Sequence, residues 1–146
     1  MKIKNISVSM VVAFTFGLMG FGQSVLATHK TPKVVPNNPF AKQSIEMRIR
    51  FYANKPYGVL TRADLEKVKR LYLAGSQITD VRSLAGLRKL EVLALEKNNL
   101  TNVSALSGLK QLKYLYLHNN PQLARAEIAK LERALSRCNI YHNSTK

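Results

Sequence analysis

Residues Val68–Leu123 read VKRLYLAGSQITDVRSLAGLRKLEVLALEKNNLTNVSALSGLKQLKYLYLHNNPQL, and the stretch repeats itself every 22 residues. Leu71 and Leu73 recur as Leu93 and Leu95, then as Leu115 and Leu117. Thr79, Val81, Leu84, Gly86 and Leu87 recur as Thr101, Val103, Leu106, Gly108 and Leu109. A fixed period in the twenties on a grid of leucines is the mark of a solenoid, in which each repeat buries its apolar side only against its neighbours.

Alternation explains the spacing. Leu71 and Leu73 point into a core from one side of a short strand, which leaves Arg70, Tyr72 and Ala74 on the other. Stacking the strands gives a parallel sheet whose outward residues fall in columns. Arg70, Val92 and Tyr114 form one, Tyr72, Ala94 and Tyr116 the next, and Ala74, Glu96 and His118 the third. Asn98 and Asn120 stand where the chain leaves the sheet. There a side-chain amide can serve backbone groups that lose their ladder partners, and Ser76 is a weaker substitute in the first repeat. Val81, Leu84 and Leu87, and again Val103, Leu106 and Leu109, step by three, which suits 3₁₀ turns on the return path. Gly86 and Gly108 are expected to let the backbone pass closely. Pro121 breaks the third repeat.

These residues, above all Ile78–Leu87 (ITDVRSLAGL), resemble bacterial leucine-rich repeats of the 22-residue, internalin-like type. The resemblance covers Val68–Leu123 and extends to the leader Leu60–Leu73. It implies an α/β fold: a short leucine-rich repeat solenoid with a parallel sheet on its concave side, 3₁₀ or irregular turns on its convex side, and helical caps. It also implies a protein-binding module rather than an enzyme. The chain departs from cell-wall internalins in its few repeats and in lacking a Leu-Pro-x-Thr-Gly sorting signal, so host-receptor binding does not carry over with the name.

The flanks complete the organisation. Lys2 and Lys4, the uncharged run Ile6–Phe21 and the triplet Val25-Leu26-Ala27 have the layout of a secretory signal peptide over residues 1–27, cleaved after Ala27. The alternative is a permanent membrane helix, which reaches spanning length only if Gly17, Gly20 and Gly22 are counted in. Cleavage leaves no permanent span. Residues 28–40, with three prolines, read as a disordered linker. Residues 41–67 read as a helical N-terminal cap. Ile45, Ile49 and Tyr52 share one helix face with Met47 and Phe51 beside them, Arg48 and Arg50 point outward, and Thr61 with Asp64 opens a second helix between Leu60 and Leu65. Residues 124–146 read as a C-terminal cap, a helix on Ile128, Leu131 and Leu135 with a Glu127–Lys130 pair, then a closing strand at Cys138–Tyr141.

Cys138 is the one cysteine, so no disulfide framework or multi-cysteine zinc site is expected. Its alternation with Ile140 suggests a buried thiol, the sharper alternative being an intermolecular disulfide. Of the histidines, His29 and His142 lie in the linker and the tail, which leaves His118 without ligand partners. No cofactor, metal or catalytic constellation is expected; Glu96 beside His118 is at most a polar surface pair. Asn102-Val103-Ser104 and Asn143-Ser144-Thr145 match the glycosylation sequon.

Two kinds of partner follow. Arg70, Tyr72, Val92, Glu96, Tyr114, Tyr116 and His118 have no core role and form an aromatic recognition patch for a protein partner, although tyrosines also simply suit strands. The chain is also strongly basic, with 23 Lys and Arg against 8 Asp and Glu and a net charge of +15. Arg82, Arg88, Lys89, Lys110, Arg125, Arg133 and Arg137 suggest the alternative of an anionic ligand such as lipopolysaccharide, anionic lipid or a polyanion. Nucleic acid is disfavoured for an exported chain, and the spread of the charges also suits a merely solvated surface.

Overall fold

The computed structural model describes residues 34–143. The segment 1–27 read as a signal peptide, residues 28–33 of the expected linker, with His29, and the last three residues, with most of the second sequon, lie outside the described residues. Among the described residues nine elements follow in order: helix α1 (Pro39–Ala53), helix α2 (Arg62–Glu66), strand β1 (Arg70–Tyr72), a 3₁₀ turn (Arg82–Leu84), β2 (Val92–Ala94), a second 3₁₀ turn (Ser104–Gly108), β3 (Tyr114–Tyr116), helix α3 (Arg125–Ala134) and β4 (Asn139–Tyr141). The strands form one parallel sheet in the order β1-β2-β3-β4. The fold is therefore the short solenoid of the sequence reading, with 3₁₀ turns on the return path and helices at both ends.

The repeat leucines face inward as their alternation requires. Leu71, Leu93 and Leu115 are fully buried in the middle of their strands, and Leu84, Leu87, Leu106 and Leu109 close over them from the return path. Each such side chain removed from water contributes roughly 1.5–3 kcal/mol before the entropy of ordering it is counted. The third repeat stops at Pro121, and α3 takes over the covering role through Ile128, Leu131 and Leu135. Glu127 is buried beside them, its carboxylate 2.7 Å from Lys130 Nζ.

The asparagines hold the repeats together. Asn98 Oδ1 accepts from the Ser76 and Ile78 N–H groups at 3.1 and 2.9 Å. Its Nδ2 donates to the carbonyls of Leu73 and Leu95, both at 2.9 Å, and of Glu96 at 3.2 Å. Asn120 repeats the pattern on Leu100 N–H and on the carbonyls of Leu95 and Leu117. Every amide thus bonds both its own repeat and the one before, and both asparagines are buried.

The turn off each strand uses a left-handed residue at the same repeat position: Gly75 at φ 63°, Lys97 at φ 56° and Asn119 at φ 58°. Glycine or asparagine takes that conformation readily, whereas lysine takes it at a cost of about 1 kcal/mol or more. The expected role of Gly86 and Gly108 is corrected. Neither has a positive φ, a Cβ on Gly86 would meet only Leu65 at 3.7 Å, and one on Gly108 would meet nothing within 4 Å. Gly108 ends a 3₁₀ turn and Gly86 lies two residues past one, and neither site requires glycine for close passage.

The N-terminal cap starts earlier than the periodicity predicts, at Pro39 rather than Ala41. Asn38 caps α1 by accepting from Ala41 N–H at 2.8 Å, and Pro39 suits the first helical position because it has no N–H to satisfy. Asn37, placed by sequence in a linker, is tied to the first return path. Its Oδ1 accepts from Thr79 and Asp80 N–H at 2.8 and 2.9 Å, and its Nδ2 donates to the Asp80 carbonyl at 2.6 Å. Ala41, Ile45, Ile49 and Ala53 are buried and Tyr52 is half-buried. Arg50 does not simply face water: it bonds Glu46 and the carbonyls of Lys55 and Gly58, tying the helix end to the turn.

Asp64 anchors α2. Its carboxylate accepts from the Thr61 hydroxyl at 2.7 Å and from Thr61 N–H at 3.0 Å, completing a capping box, and lies 3.1 Å from Lys67 Nζ. These bonds, the Thr61 hydroxyl first, hold the carboxyl well below the usual carboxylate range. Cys138 leads into β4, half-buried, and burial pushes its thiol up to about 11.

Three outcomes follow from these contacts. Asn98→Ala strips five hydrogen bonds from the interior and leaves buried backbone groups unpaired, so urea unfolding should show a loss of roughly 3 kcal/mol. A loss under about 1 kcal/mol would mean the amide is dispensable. A carboxyl with a depressed folded pKa stabilises above its unfolded value, near 4, and loses that contribution as pH falls through the folded one. The difference in melting temperature between the native chain and Asp64→Asn should therefore be full at neutral pH and shrink below about pH 4; a constant difference would contradict the pairing. Finally, a thiol at about 11 is only roughly one part in a thousand thiolate at pH 8. Cys138 should resist iodoacetamide until urea is added and give a monomer on non-reducing gels, whereas rapid labelling or a reducible dimer would restore the disulfide alternative.

Candidate functional site

The outward side of the four strands is a small aromatic face, and backbone register places its residues. Arg70, Val92, Tyr114 and Asn139 lie in one row, and Tyr72, Ala94, Tyr116 and Tyr141 in the next. With strands about 4.8 Å apart, either row runs roughly 14 Å from end to end. The sheet hydrogen bonds of Gly75 to Glu96 and of Lys97 to His118 carry the alignment on to the third column, Ala74, Glu96 and His118. All seven residues singled out by sequence therefore share this face.

Their environments differ. Tyr72 and Tyr114 are 43% and 41% exposed, Arg70 is exposed, and Val92, Tyr116 and His118 are half-buried. Tyr72 leans toward the N-terminal cap, its ring centroid 6.1 Å from that of Tyr52. Tyr116 leans the other way and stacks on Tyr141, with centroids 4.9 Å apart and planes within 10°. The His118 ring meets Tyr116 edge-on at 6.1 Å. The two aromatic groups part around Ala94, which is only 3% exposed and forms the floor between them.

Glu96 and His118 are neighbours without a hydrogen bond or ion pair to one another, so the suggested polar pair does not form. His118 turns to the Tyr116 ring, and Glu96 keeps a buried Oε2 that has no hydrogen-bond partner among the described residues. At the near end of the strands Lys113 Nζ lies 2.7 Å from Glu91, and that bond, then the charges of Lys113, Lys69 and Arg70, lowers the Glu91 carboxyl.

Sequence reasoning missed Tyr52, Asn139 and Tyr141. Tyr141 follows Tyr116 by 25 positions, so the 22-residue period does not bring the two together. Tyr52 was assigned to the core face of α1, and only packing shows its ring reaching the edge of the sheet. Among the described residues no group of three His, Cys, Asp or Glu side chains could hold a metal ion, and no helix is long and apolar enough to cross a membrane.

The leucine rich repeat family profile matches residues 66–121. No curated protein matches the chain. Among solved structures, an internalin (inlF) from Listeria monocytogenes aligns at 24% identity and a TM-score of 0.60, over 80% of this chain and 36% of its own. An internalin C2 (inlC2) from Listeria monocytogenes aligns at 19% identity and a TM-score of 0.50, over 70% of this chain and 56% of its own. The chain thus spans well under two thirds of either, and identities this low speak for the fold. Profile match, strand register and backbone likeness agree: residues 66–121 are leucine-rich repeats, and the fold around them is similar to that of the internalins.

Proposed function

We propose that this is an exported, non-enzymatic binding module that captures a protein partner on the concave face of its sheet. The observation that carries the reading is a contrast in composition. The chain has a net charge of +15, yet the only charged side chains in the outward columns are Arg70 and Glu96, one of each sign. The rest of that face is tyrosine, histidine, small aliphatic residues and asparagine. A face built to hold a polyanion would concentrate the lysines and arginines. A nearly neutral aromatic face suits a protein surface, where tyrosine supplies large contact area with few rotatable bonds. Concave sheet faces are the surfaces by which solenoid proteins bind.

The residues assigned to contact are Arg70, Tyr72, Val92, Glu96, Tyr114, Tyr116 and His118, joined by Tyr141, which stacks on Tyr116. Four strands cannot wrap a large partner, so the reading is of a compact, shallow epitope. Export rests on the Lys2 and Lys4, Ile6–Phe21 and Val25-Leu26-Ala27 layout of the sequence.

The test is capture on immobilised chain at low and at high salt, with bound protein identified by mass spectrometry. The triple change Tyr72→Ala, Tyr114→Ala and Tyr116→Ala should weaken capture at least tenfold, about 1.4 kcal/mol, and leave the far-ultraviolet spectrum unchanged. Capture should persist at high salt. Undiminished capture by the triple variant, or capture that collapses with salt, would transfer the role to the basic surface.

A further inference from the structure

Exposed large apolar side chains gather in two places. Tyr72, Tyr114 and Tyr141 lie on the concave face, and the remainder lie on the N-terminal cap and the segments beside it. On α1, Phe40, Met47 and Phe51 are 54%, 62% and 72% exposed. Their spacing of seven and four places them in one stripe, on the side of the helix away from buried Ala41, Ile45 and Ile49. A helix packed by one face carries polar residues on the other. Here the second face is apolar too, with Ser44 between Phe40 and Met47.

The stripe is one wall of a groove of about 860 Å³. Asn54 and Pro56, just beyond the helix, and Ala74, Gly75 and Ser76, in the turn after β1, also line it. Its charged lining residues are Arg48 and Arg50, with no acidic residue among the rest. Arg50 is engaged by Glu46 at 2.9 Å and by two carbonyls. Arg48 is exposed and makes no ion pair among the described residues.

We infer that this groove docks an acidic amphipathic helix of a partner protein. Apolar side chains of the incoming helix cover Phe40, Met47 and Phe51, and its carboxylates meet Arg48. The stripe spans twelve residues, a rise of about 17 Å, which matches roughly three turns of partner helix. Charge selects the occupant. A second copy of this chain laid across the groove would bring another Arg48 to it, and the one carboxylate of α1, Glu46, is already engaged by Arg50. A flat anionic bilayer would touch the helix but leave the wall at Ala74–Ser76 unfilled. The inference is independent of the concave-face reading, because the triple tyrosine variant changes no residue of the groove.

The test is fluorescence anisotropy on the full chain with a labelled three-turn helical peptide, leucines on one face and glutamates on the other. The same peptide with lysines for glutamates, and phosphatidylglycerol vesicles, serve as rival probes. The acidic peptide should bind at least tenfold more tightly than the basic one. Phe51→Asp or Met47→Asp should weaken it at least tenfold with no change in melting temperature, since both side chains face solvent, and Arg48→Glu should abolish the preference for acid. The triple tyrosine variant should bind it as the native chain does. Failure of the acidic peptide to bind, equal binding of the two peptides, preferential binding to vesicles, or a dimer in sedimentation that Phe51→Asp dissolves would each overturn the inference.

Discussion

The carbonyl of Leu95 accepts hydrogen bonds from two asparagine amides at once, Asn98 in its own repeat and Asn120 in the next. That shared acceptor shows the constraint on which the solenoid depends. A strand of three residues must turn sharply at its end, and the turn leaves backbone groups facing the interior without ladder partners. Water cannot reach them, so each would carry the cost of an unmade bond, about 1–3 kcal/mol. A side-chain amide carries donors and an acceptor on one rigid plane, and at this depth it serves two repeats together. Hydrophobic burial supplies the drive, but the leucines could slide past one another; the amides fix which repeat faces which.

The same constraint explains the ends. Ser76 occupies the first position of the ladder, where no earlier repeat supplies groups to satisfy, and Asn98 reaches back to its N–H instead. On the return path the place of a missing repeat is taken by Asn37, whose amide binds Thr79 and Asp80. At the other end Asn143 pairs with Asn119 through both backbone and side chain, closing the side of β3 with a further asparagine. Both ends thus use the chemistry that joins the repeats, drawn from residues outside the periodic stretch.

This division also sets what the sequence disclosed. The buried leucines, the asparagine rungs and the three columns of outward residues were legible because a period of 22 fixes their mutual register. Tyr141 was not, because β4 reaches its place beside β3 through α3 rather than through another repeat, and only pairing counts it into the tyrosine row. Asn37 sits among prolines, where composition argues for a loose chain, and its four bonds to residues more than forty positions away leave no local trace. The repeat glycines misled in the opposite sense. Their recurrence suggested a steric demand, whereas the repeat position at which left-handed backbone recurs is that of Gly75, Lys97 and Asn119, where the residue type changes from repeat to repeat while the conformation does not.

Shortness then decides where recognition can sit. A long solenoid can gather its contacts over many repeats, but here the tyrosine row has no interior: Tyr72 touches the cap through Tyr52, and Tyr116 touches the closing strand through Tyr141. Tyr52 in turn meets Phe51 edge-on at 5.1 Å, and Phe51 belongs to the exposed stripe of α1. A chain of ring contacts therefore leads from the concave sheet to the outer face of the cap. The cap does more than keep water from the first repeat. Tyr52 has one side against the core and its ring beside Tyr72, so the edges of the two apolar surfaces of this basic protein meet at one side chain.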